Sequence, residues 1–106
     1  MLNQIVLVGR LVEDLQVEEI EERKVVKIKL AIPRSWKNEE GIYETDFVPI
    51  TLWDNVAKNT AEYCKKGDII GVKGRIQGEE GTIQIIAEKV TFLSSKSSND
   101  KEEVDE

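Results

Sequence analysis

The chain has 106 residues, with 15 basic and 21 acidic side chains (net −6), no histidine and one cysteine. That length makes one compact domain and leaves no room for a second. Without histidine there is no Ser-His or Cys-His pair and no imidazole metal site, and Cys64 alone can form neither an intrachain disulfide nor a thiolate cage. The composition therefore points away from catalysis, and neither metal nor cofactor is expected. No apolar run reaches the ~18 residues of a membrane span. Met1-Leu2-Asn3-Gln4 lacks the basic-then-apolar form of a signal peptide. A soluble protein of the cytoplasm is expected, in agreement with an unpaired Cys64.

Asn3 to Val12 is too β-branched for a surface helix and is broken by Gly9, so it predicts a strand with a bend at the glycine. Acidic residues then fill a loop or hairpin turn. Lys24 to Pro33 alternates, with Val26, Ile28, Leu30 and Ile32 on one face and Val25, Lys27, Lys29 and Ala31 on the other. That period predicts a half-buried strand ended by Pro33, followed by a polar turn region holding Trp36. From Glu44 to Trp53 the aliphatic set is Val48, Ile50 and Leu52; Phe47, Pro49, Thr51 and Trp53 share the opposite face. If the aliphatic set faces the core, Phe47 and Trp53 point outward. Otherwise their set is the buried one, or a helix or partner subunit covers the rings.

Asp54 to Lys66 changes to a helical period, with Val56, Ala57, Thr60, Tyr63 and Cys64 on one stripe, Asp54 as N-cap and Gly67 at the C-terminal stop. Asp68 to Gln77 returns to a strand with Ile70, Val72 and Ile76 inward, Lys73, Arg75 and Gln77 outward, and Gly71 and Gly74 permitting sharp coiling. Gly78-Glu79-Glu80-Gly81 reads as a tight turn and Thr82 to Leu93 as the last strand. Three strands, one helix and two strands, with glycines inside strands, is the order of the OB-fold: an all-β, five-stranded Greek-key barrel with one α-helix between strands 3 and 4.

The charge is sorted along the chain. Glu13 to Glu22 carries six acids and no base, whereas Arg23 to Lys37 carries six bases and no acid. Residues 1–94 form the expected folded domain. Residues 95–106, with one apolar residue and a net charge of −3, form an expected disordered acidic tail. In an OB-fold, strands 2 and 3 make the binding face. A groove for single-stranded nucleic acid needs cations along the phosphates and aromatic faces for unpaired bases. Lys27, Lys29, Arg34 and Lys37, with Lys73 and Arg75 outward on the fourth strand, are the candidate phosphate contacts; Trp36, Phe47 and Trp53 are the candidate stacking residues.

The opening Asn3-Gln4-Ile5-Val6-Leu7-Val8-Gly9-Arg10-Leu11, Leu30-Ala31-Ile32-Pro33-Arg34-Ser35-Trp36, Asp46-Phe47 with Ile50-Thr51-Leu52-Trp53, and Ala61-Glu62-Tyr63-Cys64-Lys65-Lys66-Gly67-Asp68 with Gly71-Val72-Lys73-Gly74-Arg75-Ile76-Gln77 carry a family likeness. In these motifs, from about Asn3 to Leu93, the chain resembles the bacterial single-stranded-DNA-binding proteins. The resemblance implies non-catalytic, largely sequence-independent binding and protection of single-stranded DNA in replication, recombination and repair, near the bacterial nucleoid. It places Trp36, Phe47 and Trp53 at stacking positions and implies a homotetramer, with a dimer as the alternative.

Two departures stand out. The long basic hairpin of the family is reduced to Gly78-Glu79-Glu80-Gly81, which implies one stacking residue fewer and weaker wrapping. The family tail docks on replication and repair proteins through acids and an apolar tip ending in Phe, whereas this chain ends Glu102-Glu103-Val104-Asp105-Glu106. A second reading of the residues is an OB-fold interaction module, of primosomal or plasmid type, whose aromatic face is a protein interface.

Overall fold

The computed structural model describes residues 1–95. Its elements are β1 (Ile5–Leu11), β2 (Glu18–Ile20), β3 (Arg23–Lys37), β4 (Tyr43–Trp53), α1 (Asp54–Tyr63), β5 (Ile69–Glu79) and β6 (Thr82–Ser94). Neighbours run β1-β5-β6-β4-β3, and a β1–β3 pairing closes the ring, so five strands make a barrel with β2 attached to the outer edge of β3. The expected OB-fold is thus present, with β2 as an addition inside the acidic segment. Residues 96–106 of the expected tail lie outside the described residues.

Closure is weak in pairing and depends on two glycines. β1 meets β3 only at Arg10↔Ala31 and Leu11↔Leu30. A Cβ on Gly9 would stand 2.8 Å from Ile32 Cγ1 and 2.9 Å from the Ala31 carbonyl oxygen, so only glycine lets β1 cross so close to β3. At the other seam, β6 carries extra residues at Glu88 and Leu93 relative to β5, which bend it toward β4 at the single pairing Thr51↔Ile86. There a Cβ on Gly74 would fall 2.1 Å from the Ile86 carbonyl oxygen.

The aliphatic sets fill the interior. Leu11, Val26, Ile28, Leu30, Ile50, Leu52, Ile70 and Val72 are buried together, α1 adds Ala57, and Cys64 joins them just past the end of the helix. The helix differs from its expected ends and stripe. Trp53, which has no side chain able to accept a bond from the first turn, precedes it without a side-chain cap, and the Asp54 carboxylate is bonded to Arg23 instead. It stops at Tyr63, where Cys64 turns extended (φ −119°, ψ 151°), so Tyr63 leaves the stripe and is exposed. Gly67 (φ 96°) lies in the following turn, where its N–H donates to the Leu11 carbonyl.

Two hairpin arms reach past the barrel. β3 does not end at Pro33 but runs on to Lys37. β1 has already left β3 at Ala31, so one edge is free and the missing proline N–H costs no ladder bond. In the other arm β5 and β6 pair as far as Glu79↔Thr82 around a two-residue turn, Glu80-Gly81, both with positive φ as a type I′ turn requires. Ile76, expected inward, lies on this projecting part and is 43% exposed.

Candidate functional site

The antiparallel β3–β4 ladder aligns the residues on the face away from the barrel interior in rungs: Val25, itself covered and buried, opposite Trp53, then Lys27 opposite Thr51, Lys29 opposite Pro49 and Ala31 opposite Phe47. Alternation places all of them on the face away from the Val26, Ile28, Leu30, Ile50 and Leu52 core. Phe47 is 60% exposed and Trp53 half-buried. Six residues of strand separate the rings by about 20 Å, and the two lysines occupy the rungs between them. Both lysines are exposed.

The same face continues up the arm to residues that sequence reasoning passed over. Three residues of β3 (Arg34, Ser35, Trp36) oppose one of β4 (Glu44) before the ladder resumes at Lys37↔Tyr43. Tyr43 has the parity of Phe47 and Trp53, is exposed, and carries the Lys37 ammonium 5.6 Å from its ring centroid. The signal was present as a period-two extension of the Phe47 set. Trp36 projects from the bulge and is 65% exposed.

Arg34 is held differently from the other candidate cations. Its Nη2 lies 2.9 Å from Asp46 Oδ1 and its Nη1 3.0 Å from Glu44 Oε2, which alternation puts on the reverse side of the arm from Phe47. Hydrogen bonding to Arg34 holds the Asp46 carboxyl below its ordinary value, and the same bond raises the guanidinium. Asn38 completes the fastening: its Oδ1 accepts from the Glu40 and Ile42 N–H groups and its Nδ2 donates to Glu44. Arg34 thus stiffens the arm that carries Trp36 and Tyr43.

At the opposite end, Arg23 crosses to Trp53. Its Cζ stands 4.5 Å from the indole centroid, while Nε and Nη2 donate to Asp54 at 3.1 and 2.6 Å. That bond lowers the Asp54 carboxyl. An acidic edge flanks this end, where Glu13, Asp14, Glu18, Lys27 and Lys66 line a cleft of about 440 Å³. Lys73 and Arg75 are not with this group. Lys73 lies on β5 between Val6 and Lys89, and Arg75 approaches Glu88 at 3.8 Å and donates to Gln77.

Cys64 is buried, and burial together with Asp68 pushes its thiol up, away from nucleophilic thiolate. Among the described residues no group of three or more His, Cys, Asp or Glu is placed to hold a metal.

A closed five-stranded barrel that keeps its polar chemistry on one outer strand face, with rings spaced along a row of lysines, belongs to the class of OB-fold binding proteins rather than enzymes. Residues 2–93 match the single-strand binding protein family, and the chain belongs to that family. It is 42% identical over 106 residues to single-stranded DNA-binding protein B of Bacillus subtilis, covering 91% of this chain and 94% of that one. It is 32% identical to single-stranded DNA-binding protein 1 of Clostridium acetobutylicum, covering 90% of this chain and 96% of that one. With the single-stranded DNA-binding protein of Oceanobacillus iheyensis it shares 37% identity, over 92% of this chain and 67% of the relative.

Proposed function

We propose that this chain binds single-stranded DNA on the outward face of β3 and β4, without catalysis and largely without sequence preference. The observation that carries the reading is the run of rungs from Val25/Trp53 to Ala31/Phe47, with lysines between two rings on an exposed strand face. Phe47, Trp53 and Trp36 stack bases, joined by Tyr43 at the arm; Lys27, Lys29 and Lys37 neutralise phosphates. Arg75 serves a strand that continues over β5, Lys73 lies opposite Val6 on the β1–β5 face, and Arg34 holds the arm. Protection of exposed strands in replication, recombination and repair, in the cytoplasm, is the role we assign.

Self-association uses another surface. Val8 (52% exposed) on β1 and Leu93 on β6 stand around Gly71, with Val6 (64%) next along β1 opposite Lys73, an apolar wall separate from the stacking face. A homo-oligomer, for which we favour a tetramer, can therefore form while the β3–β4 face stays open. Sedimentation of the free protein as a monomer would contradict this part. The binding itself is tested by titrating oligo(dT) while following tryptophan fluorescence. Quenching by Trp36 and Trp53, with affinity falling as salt rises, is expected. No quenching and no salt-sensitive binding at low ionic strength would overturn the reading.

A further inference from the structure

Two of the six bases between Arg23 and Lys37 already lie over a ring of the candidate face, Lys37 over Tyr43 and Arg23 over Trp53, and of these only Arg23 brings a planar cation. The local chain brings it there. Glu21 and Glu22, with φ 50° and 66°, turn β2 back into β3 with Ile20 opposite Arg23. Arg23 then shares the outward parity of Val25, whose partner is Trp53, so it is Trp53's diagonal neighbour. Asp54, the residue after Trp53, adopts φ 54° and receives both the Nε and Nη2 of Arg23.

A carboxylate bonded to the Nε/Nη2 edge fixes a guanidinium in its own plane and leaves the two faces free of hydrogen bonds. The Arg23 Cζ stands over the indole, and the side chain nevertheless remains 55% exposed, so it is not closed off from a ligand. Its charge, meanwhile, is already matched by Asp54. What remains for a ligand is a flat, weakly hydrated cation backed by a ring, a surface suited to the π-face of an unpaired base and poorly suited to being a phosphate's sole counter-charge.

We propose that Arg23, seated on Trp53 and locked edge-on by Asp54, is itself a base-stacking residue, so that the platform at this end is an arginine–tryptophan pair rather than a bare indole. The inference rests on the single-strand reading above. It requires a plane and a lock, not merely a positive charge.

The test compares oligo(dT) affinity and its salt dependence for wild type, Arg23→Ala, Arg23→Lys and Asp54→Asn. Lysine keeps the charge and loses the plane, so Arg23→Lys and Arg23→Ala should both weaken binding about five- to tenfold. Their log–log salt slopes should stay at the wild-type value, whereas loss of a phosphate contact would lower the slope by ~0.7. Asp54→Asn frees the guanidinium and should steepen the slope. The loss from Arg23→Ala should largely vanish in a Trp53→Ala background and persist in Trp36→Ala. Arg23→Lys binding as tightly as wild type, or a slope lowered by ~0.7 in Arg23→Ala with additive losses, would overturn the proposal while leaving the function intact. Failure of wild type to bind oligo(dT) would remove both.

Discussion

The two faces of β3 and β4 are made from the same residues in alternation and do opposite work. On the inner face Val26, Leu30 and Leu52 have no accessible surface and Ile50 has 1%. On the outer face the same stretch of chain shows Lys27 and Lys29 to solvent and leaves Phe47 60% exposed. Adjacent residues are thus divided between holding the barrel together and meeting a ligand. The lesson is that stability and binding can change almost independently here, since neither face borrows side chains from the other. The exposed rings gain nothing by burial in the free protein, which is the physical reason to look for what they contact.

The strongest way to break this division is a cavity on the inner face. Leu30→Ala should cost about 2–5 kcal/mol of folding stability, read by urea denaturation, with the affinity of the folded fraction for oligo(dT) unchanged. The converse change, Phe47→Ala, should cost about 1–3 kcal/mol of binding and move the urea midpoint by less than about 0.5 kcal/mol in stability. Glu22→Gly relieves a non-glycine residue at φ 66° in the β2–β3 turn. It should stabilise the fold by about 1 kcal/mol in the same denaturation and leave oligo(dT) affinity as it was. Lys29→Gln should lower the log–log salt slope by ~0.7 without altering the melt.

The smallest effect is in acid. Because Arg34 holds the folded Asp46 below its ordinary value of 3.8, the pair's contribution is complete above that value and is lost as pH falls through the lower folded midpoint. Side-chain carboxyl NMR should show the Asp46 midpoint rising toward 3.8 in Arg34→Gln.

Much of this was legible in the sequence because period two is a strong signal where one face is apolar. Val26 to Leu30 and Val48 to Leu52 pointed to the inward set, whereas the residues alone left open whether Phe47 was covered, and the structure shows it exposed. Places where the period is interrupted were harder. Three residues opposite one between Pro33 and Lys37 cannot be read without the register, so Arg34 looked like a free cation when its neighbours across the arm are Asp46 and Glu44. Tyr43 was missed for another reason: it continues the Phe47 period, but the strand was expected to begin one residue later, at Glu44. Ile76 has the inward parity of Ile70 and Val72, yet by that point β5 has left the barrel and no core remains opposite it. The Arg23–Trp53 contact spans 30 positions and depends on two turns whose φ values their sequences do not favour.

The central claim is that the outward β3–β4 face meets the strand. The most direct measurement is amide and indole NMR of the labelled protein as oligo(dT) is added. The account predicts that the largest shifts fall on the Trp36 and Trp53 indoles and on the amides of Lys27, Lys29 and Phe47, while Val6, Val8 and Gly71 on the β1–β5 wall stay in place. Shifts concentrated on Val6, Val8 and Gly71, with Phe47 and the indoles unmoved, would contradict it.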